Sequence, residues 1–310
     1  MVGSLSVCIL PSISGLNVEI NNRKIGEGHP CYIIAEVGIN HNGDLETARQ
    51  LLSAAASAGV DAVKTQVRTL PGAIPEHMRD MRKQTPWGEM SYLAYKERIE
   101  LSKTEHRDLA SYSRSLGLDY GVSVWDTASA HYATDDLEVD FLKIPSALIS
   151  NEPIVHHTAT RGLPFFWSTG MHTMTEIQTT RRWLDDFTFS NWGVLHCNSS
   201  YPAKTEELNL GVIRTWQNWS LFRGHPIGYS GHETGLATTV AAVALGASIV
   251  ERHITLDRAA WGSDHAASVE PQGFRRMVKD IRTVELAIGD GVKRVYESEE
   301  VKRLDLTPTV

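Results

Sequence analysis

Between residues 31 and 289, short apolar segments alternate eight times with longer amphipathic segments, and this alternation limits the fold more than any other feature of the sequence. Apolar runs of strand length that are separated by helical crossovers indicate parallel strands covered by helices on their outer face. The predicted strands are residues 31–38, 61–67, 119–125, 141–146, 163–169, 192–198, 226–232 and 249–255. Eight such units predict an α/β fold of the (β/α)8 TIM-barrel type over residues 31–294. An open, doubly wound sheet is the structural alternative, but no glycine-rich fingerprint follows the first strand.

Three segments lie outside the repeating units. Residues 1–30 are predicted to form a cap that contains a hairpin, with its turn at Asn21 and Asn22. Residues 68–98 are too long for a simple connection and are rich in proline, methionine and tryptophan, so we predict a functional insertion or lid. Residues 295–310 are charged and are predicted to be a frayed end or a contact arm.

Several predicted helices carry recognisable ends. Asp44 and Gly59 bracket the first helical pattern as its cap and its stop. Ser102 and Glu105 have the spacing of a capping box at the start of a later helix. A further helix is predicted over residues 206–219.

The composition of the 310-residue chain excludes several classes of partner. A net charge of −7 provides no basic surface for nucleic acid or anionic lipid, and no apolar run approaches the ~20 residues of a membrane span. The start of the sequence lacks the basic region of a signal peptide. Cys8, Cys31 and Cys197 are few and odd in number, which is typical of a reducing compartment. We therefore expect a cytoplasmic protein.

Two histidines at the ends of the last two predicted strands form a candidate metal site. Side chains alternate along a strand, so Ser230 and His232 share one face, as do Glu251 and His253. Neighbouring parallel strands would then present two imidazoles and a carboxylate together, beside Asp264 in the next loop. Either histidine alone is more typical of a buried, hydrogen-bonded core residue. The pair, with Asp264 beside it, favours a divalent metal ion.

Two lysines lie inside apolar strands, where an ammonium group needs a compensating partner. Lys64 and Lys143 are therefore predicted to point into the barrel mouth. A salt bridge to Glu36 or Glu251 would explain one of them. Two lysines together with small hydroxyls and Gly170 favour a pocket for a small anion such as a phosphate ester. The other polar residues predicted at strand ends are Gln66, Ser123, Ser146, Ser168, His196, Asn198, Ser199 and Tyr201.

Long stretches of the chain resemble the sialic acid synthase family, in the order in which that family carries them. The first is IIAEVGINHNGDLETARQLLSAAASAGVDAVKTQ, which spans the first two predicted units. Later segments are KIPSALISNEPIV, STGM, LHCNSSYPAKTEELNL, GYSGHETG and VERHITLDRAAWGSDHAASVEP. The resemblance covers residues 30–289, and NHNGD together with the SGH, ERHITLD and GSDH segments makes it specific.

The resemblance implies an enzyme that condenses phosphoenolpyruvate with an open-chain amino sugar, N-acetylmannosamine or its 6-phosphate, to a nine-carbon 2-keto acid and phosphate. It implies a homodimer and a divalent metal ion, commonly Mn²⁺, which His232 and His253 hold as a Lewis acid on the sugar aldehyde. The family positions that hold phosphoenolpyruvate match Lys64, Lys143, Ser146, Ser168 and Ser230. Those that orient the sugar and the attacking water match Glu36, Gln66, Tyr201 and Asp264, with Glu251 beside the metal. The candidate catalytic residues are Glu36, Lys64, Lys143, Glu251 and Asp264, and the candidate substrate-binding residues are Gln66, Ser146, Ser168, Ser199, Tyr201 and Ser230.

The chain departs from the family pattern in ways that concern the sugar. Many members have aspartate at the position of Gly231, and Thr65 replaces a frequent phenylalanine. Members often carry a C-terminal antifreeze-like domain that supplies an arginine to the sugar, whereas this sequence stops at Val310. We therefore expect a sugar pocket that is open, capped by residues 68–98 or completed by another chain. The aldose stays open, and a related synthase for another aldose and a non-catalytic barrel that binds metal and anion are the alternatives.

Overall fold

Eight parallel strands form a closed barrel in this computed structural model, which describes residues 18–187 and 191–306. In chain order the strands are β1 (Val18–Ile20), β2 (Arg23–Ile25), β3 (Tyr32–Gly38), β4 (Ala62–Val67), β5 (Arg82–Thr85), β6 (Gly88–Ser91), β7 (Asp119–Val124), β8 (Phe141–Ile144), β9 (Phe165–Ser168), β10 (Trp192–Cys197), β11 (Ile227–Gly231) and β12 (Ile249–His253). The barrel consists of β3, β4 and β7 to β12, and it closes where β12 pairs with β3, so that His253 lies opposite Glu36. The predicted (β/α)8 fold is confirmed.

The hairpin of β1 and β2 closes the end of the barrel at which the strands begin. The two strands pair antiparallel through a turn at Asn21 and Asn22, whose φ angles are 47° and 64°. Left-handed backbone at both turn residues is what a tight two-residue hairpin requires, and asparagine tolerates it. Buried hairpin side chains pack against the first residues of the barrel strands, including Tyr32 and Phe141. The predicted hairpin is confirmed, and the rest of the predicted cap, residues 1–17, lies outside the described residues.

Helices follow the barrel strands and cover their outer face. The α-helices of the described residues are α1 (Leu45–Ala58), α2 (Glu76–Arg79), α3 (Tyr92–Ile99), α4 (Lys103–Ser115), α5 (Thr127–His131), α6 (Glu152–Ala159), α7 (Met174–Asp185), α8 (Gly211–Gln217), α9 (Ala237–Ala244), α10 (Pro271–Ile288) and α11 (Glu297–Leu306). The predicted helix ends are confirmed, because Asp44 caps α1, Gly59 ends it at a φ of 82°, and Ser102 forms a capping box with Glu105. Within the described ranges, no helix combines the length and apolar character needed to cross a lipid bilayer.

The predicted helix over residues 206–219 is wrong in its first part. A short 3₁₀ turn occupies Thr205–Glu207, and α8 begins only at Gly211. Asn209 lies between them with a φ of 44°, a left-handed conformation through which an α-helix does not continue. The charged tail contains α11, whose residues are all exposed. The predicted domain boundaries at residues 30 and 294 and the contact role of the tail stay predictions.

Residues 68–98, here called the insertion, form α2, the hairpin of β5 and β6, and α3, and they pack on the barrel mouth. Tyr95 and Ile99 of α3 form a buried cluster with Ile39, which directly follows β3. The approach is close, since a Cβ added at Gly43 would lie 2.5 Å from the carbonyl oxygen of Arg98. The insertion therefore covers the loop that follows β3.

Two buried histidines are expected to make the folded barrel sensitive to acid. Burial lowers the pKa of both His41 and His106 to about 4. The pKa of a histidine in the unfolded chain is about 6.5. As the pH falls from there to about 4, the unfolded chain therefore binds more protons than the folded chain, and the free energy of unfolding decreases. We expect urea unfolding to show that the free energy of unfolding is lower by up to roughly 3 kcal/mol per histidine at the acidic limit of this pH range.

The histidine contribution can be separated from that of the carboxylates by comparing two variants. His106→Leu is expected to flatten the dependence of the unfolding free energy on pH, while the Tyr120 hydroxyl keeps its hydrogen bond to Thr65. The same change at exposed His77 is expected to leave the dependence as it is. Equal slopes in the two variants would show that burial of His106 does not contribute.

Candidate active site

Four charged side chains meet in the centre of the barrel mouth, and all four are buried. Lys64 Nζ lies 2.5 Å from Glu36 Oε2, and Lys143 Nζ lies 3.1 and 3.0 Å from the two carboxylate oxygens of Glu251. The two pairs are connected, because Lys64 Nζ is also 3.8 Å from Glu251 Oε2. Each of these four residues has at most 4% of its surface exposed to solvent. Both lysines therefore point into the barrel, each paired with one of the carboxylates considered from the sequence.

The electrostatics of these groups favours ion pairs. Burial alone would raise the pKa of Glu251, but Lys143 and Lys64 outweigh burial and hold the pKa at about 2. Burial lowers the pKa of Lys143, against the attraction of Glu251. Burial raises the pKa of Glu36, although Lys64 opposes the rise. Two ammonium groups and two carboxylates balance in charge, so an incoming anion has to compete with the carboxylates for the lysines.

Two serine hydroxyls bind these charged groups directly. Ser230 Oγ donates to Glu251 Oε1 at 3.2 Å, and Ser123 Oγ accepts from Lys64 Nζ at 2.6 Å. Ser230 was predicted to bind substrate. Ser123 was placed at a strand end by the sequence but was not assigned to the site, although it lies on β7 opposite Gln66 of β4.

A second set of hydroxyls surrounds Gly170, just after β9. Ser146 Oγ accepts a hydrogen bond from the Gly170 amide at 3.0 Å. The space is tight, because a Cβ added at Gly170 would lie 2.1 Å from Ser199 Oγ and 3.0 Å from Ser146 Oγ. Ser168 Oγ is buried and has no hydrogen-bond partner among the described residues. A buried hydroxyl of this kind requires a partner, such as a bound molecule.

The two predicted metal ligands lie close together at the ends of β11 and β12. The ring centres of His232 and His253 are 5.4 Å apart. His232 Nδ1 donates to the Asn198 carbonyl at 2.8 Å, which leaves Nε2 to accept from the Tyr201 hydroxyl, also 2.8 Å away. His253 Nδ1 is buried, accepts or donates no hydrogen bond within the described chain, and lies 3.6 Å from Asp264 Oδ2.

These two rings are suited to bind a divalent metal ion. Burial lowers the pKa of His253 to about 3, so the ring is neutral and offers a lone pair. His232 offers a second lone pair at Nε2, on the side of Tyr201, in its neutral form, although Cys197 outweighs burial and raises the pKa of this ring. No group of three or more histidine, cysteine, aspartate or glutamate side chains that could hold a metal occurs in residues 18–187 and 191–306. The protein would therefore supply two imidazole ligands and leave the other positions to water or substrate.

A chain of polar contacts connects Glu36 to the insertion. Gln66 Nε2 donates to Glu36 Oε1 at 2.9 Å, and Arg68 binds Gln66 Oε1. Arg68 also pairs with Glu100 at 3.3 Å, and its guanidinium lies 4.3 Å from the centre of the Trp125 ring. Sequence reasoning missed Arg68. The signal was available, because Arg68 extends the alternation of inward side chains along β4 by one step.

The Asn-His-Asn-Gly segment after β3 stabilises loops. Among the described residues, no hydrogen bond connects it to the four charged side chains of the mouth. Asn40 Nδ2 donates to the Ile254 carbonyl and to Ser268 Oγ, both at 2.8 Å. His41 Nδ1 accepts from the Gly43 amide at 3.0 Å. These contacts hold the loop that follows β12 against the loop that follows β3.

A cavity of about 1340 Å³ lies at the opposite end of the barrel and is lined by residues such as Pro30, Gln217 and Glu285. In the described part of the chain, no predicted site residue lines it. The ion pairs, hydroxyls and imidazoles instead lie at the carboxyl ends of the strands, where (β/α)8 enzymes have their active sites. The fold and the position of these groups together define a barrel of the enzyme type with a candidate active site at its mouth.

Comparison with known proteins gives the family. The sequence profile of the NeuB family matches residues 51–293, and the chain belongs to this family. It is 38% identical over 279 residues to N-acetylneuraminate-9-phosphate synthase of Mus musculus, covering 89% of this chain and 76% of that protein. It is 35% identical over 293 residues to N,N'-diacetyllegionaminic acid synthase of Legionella pneumophila, covering 92% of this chain and 81% of that protein.

A solved structure is similar over almost the whole chain. It is the N-acetylneuraminic acid (sialic acid) synthetase from Leptospira borgpetersenii in complex with citrate, with a TM-score of 0.82 and 29% identity. The match covers 94% of this chain and 98% of that chain. The predicted membership of the sialic acid synthase family is therefore confirmed.

Proposed function

We propose that this protein condenses phosphoenolpyruvate with an N-acetylmannosamine-type aldose, free or as its 6-phosphate, to a sialic-acid-like 2-keto-3-deoxy sugar acid and phosphate. The observation that carries the proposal is the pair of buried lysines, Lys64 on β4 and Lys143 on β8, which point into the barrel mouth. Two cations suit a substrate that has both a phosphate and a carboxylate. Relatives named as synthases of N-acetylneuraminate 9-phosphate and of diacetyllegionaminic acid support it.

In this proposal the lysines and serines hold phosphoenolpyruvate. Lys64 and Lys143 balance its charge, and Ser146, Ser168 and Ser230 donate hydrogen bonds to its oxygens. The enol carbon forms a bond to the aldehyde carbon, and the aldehyde oxygen takes up a proton. Water adds to the carbon that bears the phosphate, and the bond between that carbon and the bridging oxygen breaks. One water molecule is consumed for each phosphate released.

Glu36 is the carboxylate that we assign to take a proton from the attacking water. Its Oε2 makes no hydrogen bond in the described structure beyond the ion pair with Lys64, whereas Lys143 occupies both oxygens of Glu251. Glu251 therefore positions the lysines. The remaining polar groups that orient the sugar in this proposal are Gln66, Ser199, Tyr201 and Asp264.

We propose that His232 and His253 hold Mn²⁺. The buried, unsatisfied Nδ1 of His253 and the inward Nε2 of His232 support this assignment. A bound divalent ion supplies Lewis-acid polarisation of the aldehyde oxygen. The Asn198 carbonyl fixes the tautomer of His232, and the Asp264 carboxylate lies beside Nδ1 of His253.

The proposal is tested by phosphate release from phosphoenolpyruvate with Mn²⁺ and N-acetylmannosamine, or its 6-phosphate, in the wild type and in His232→Ala. Release that requires the aldose and is lost in His232→Ala would support it, with His77→Ala on α2 as the matched control. Release with a different aldose would replace the sugar in the proposal. Binding of phosphoenolpyruvate without turnover across a wide aldose panel would contradict catalysis and favour a binding barrel.

Gly170→Ala is expected to raise the KM for phosphoenolpyruvate by about tenfold or more. The added methyl group would displace the hydroxyl of Ser199 and press on that of Ser146, which binds phosphoenolpyruvate in the proposal. A lost charge-assisted hydrogen bond weakens binding by about 1.5 kcal/mol or more. Steady-state kinetics against phosphoenolpyruvate measure the effect, and thermal unfolding checks the fold. Gly211→Ala is the matched control, because its nearest neighbour would be 3.8 Å from the new Cβ. An unchanged KM would remove Gly170 from the site.

We further propose that the protein is a cytoplasmic homodimer. The family resemblance supports the dimer, and the free thiols of Cys31 and Cys197 are typical of a reducing compartment. Sedimentation velocity is expected to show a species of twice the monomer mass. A monomer at every concentration tested would contradict the dimer.

A further inference from the structure

A buried lysine without an acidic partner lies on the inner side of the insertion. Lys96 of α3 is 7% exposed, and its ammonium nitrogen lies 5.5 and 5.4 Å from the ring centres of Tyr92 and Tyr95. In residues 18–187 and 191–306, no carboxylate forms an ion pair with Lys96, and no hydrogen bond reaches its side chain. Buried ammonium groups are normally paired, and ring faces compensate the charge only in part.

A second lysine faces the same aromatic surface. Lys83 of β5 places its ammonium nitrogen 5.0 Å from the Tyr95 ring centre and 5.7 Å from that of Trp261. Within the described residues Lys83 has no ion pair either. The neighbouring Arg68 does not add to the excess, because it pairs with Glu100. Two ammonium groups without an ion-paired carboxylate among the described residues therefore lie on one aromatic cluster, formed by Tyr95 and Trp261.

This cluster borders the site on the side of His253, one of the two proposed metal ligands. The ring of Trp261 packs edge to face against the ring of Tyr95, with 5.5 Å between the ring centres. Trp261 lies in the loop that carries Asp264. Burial and Arg68 lower the pKa of Lys96 to about 8, whereas the Asp264 and Glu100 carboxylates raise it. Lys143, on β8, lies on the far side of the barrel from β12. The loop of Asp264 and Trp261 therefore connects the site to the aromatic cluster on which Lys96 and Lys83 lie.

We propose that Lys96 and Lys83 form a subsite for the phosphate monoester of a phosphorylated aldose, with Tyr95 and Trp261 against its carbon chain. A phosphate monoester carries a charge of roughly −1.5 to −2 at neutral pH, which matches two ammonium groups. A neutral aldose would leave both ammonium groups without an ion-pairing partner. This inference rests on the proposed function and selects the phosphorylated form of the second substrate.

The test compares kcat/KM for N-acetylmannosamine 6-phosphate with kcat/KM for N-acetylmannosamine, and follows their ratio. Lys96→Met is expected to lower this ratio at least ~10-fold, because a charge-assisted contact to the phosphate is lost. Methionine suits the aromatic surroundings and leaves no buried carboxylate without a partner, so the variant is expected to fold, as thermal unfolding checks. Lys83→Met is expected to lower the ratio less, since Lys83 is more exposed.

Two controls separate recognition of phosphate from packing. Lys96→Arg keeps the charge and is expected to keep most of the ratio. Lys103→Met removes another lysine that lies over a tyrosine, 4.7 Å from the Tyr132 ring centre, and is expected to leave the ratio unchanged. A ratio that is unchanged in Lys96→Met, or a wild type that prefers the unphosphorylated sugar, would overturn the subsite and leave the proposed function standing. Failure to release phosphate with either sugar would overturn both.

Discussion

Replacing Lys143 by methionine is expected to lower the rate of aldose-dependent phosphate release by about 10²- to 10³-fold, the effect of removing one preorganised electrostatic contact. The ammonium group of Lys143 binds both oxygens of Glu251 and, in the proposed mechanism, balances charge on phosphoenolpyruvate. Without it, the Glu251 carboxylate would face the substrate and repel it. The kcat of the purified variant, measured with saturating phosphoenolpyruvate and aldose, gives the size of the loss.

The loss of rate has to be distinguished from loss of stability. In Lys143→Met, Glu251 stays buried and Lys64, 3.8 Å away, is its remaining cation. Breaking a buried ion pair lowers the free energy of unfolding by about 3–5 kcal/mol. Lys143→Met combined with Glu251→Gln removes both charges, so stability is expected to recover while the rate stays low. Lys279→Met, on the exposed face of α10, is the matched control. A double variant that regains the wild-type rate would assign the effect of Lys143 to folding alone.

Replacing Arg252 by methionine is expected to lower the free energy of unfolding by about 3–5 kcal/mol. The Arg252 side chain is fully buried and binds Glu233 through its carboxylate at 3.0 Å and its carbonyl at 2.6 Å. It also donates to Thr239 Oγ1 at 2.7 Å. Without the guanidinium, the Glu233 carboxylate would stay buried without a cation. Its remaining partners among the described residues are the hydroxyl groups of Tyr229, Thr238 and Thr239.

Equilibrium unfolding in urea measures this effect, and a double-mutant cycle apportions it. Arg252→Met combined with Glu233→Gln is expected to cost less than the sum of the single changes, because no buried charge is left without a partner. Arg276→Met, in an exposed pair with Asp280 on α10, is expected to change stability by less than about 1 kcal/mol. If Arg252→Met cost no more than Arg276→Met, the buried pair would not stabilise the fold.

Much of the site could be located from the sequence because its residues lie at strand ends, and the ends of parallel strands converge. Lys64 and Lys143 are recognisable as cations inside apolar runs, where burial demands a partner. The period of two along a strand is sufficient to place His232 and Ser230 on the same side of β11. Glu36 and Glu251 were considered as partners for the lysines, and each pairs with one of them.

Other features depend on tertiary contacts that a single sequence does not display. The burial of Lys96 follows from the packing of α3 against Ile39 and Trp261, which come from two distant parts of the chain. Arg68 reaches the site through contacts on either side of the insertion. The left-handed backbone at Asn209 interrupts a segment whose apolar pattern alone indicates a continuous helix.

Condensation is tested most directly by mass spectrometry of a reaction started with phosphoenolpyruvate that carries oxygen-18 in its bridging position. Because water adds to the carbon that bears the phosphate, and the bond from that carbon to the bridging oxygen then breaks, the label is expected in the released phosphate. Each labelled phosphate is expected to be matched by one sugar acid that contains the carbon atoms of both substrates. Label that stays on the three-carbon product, or phosphate released without a joined acid, would show hydrolysis instead and contradict condensation at Lys64 and Lys143.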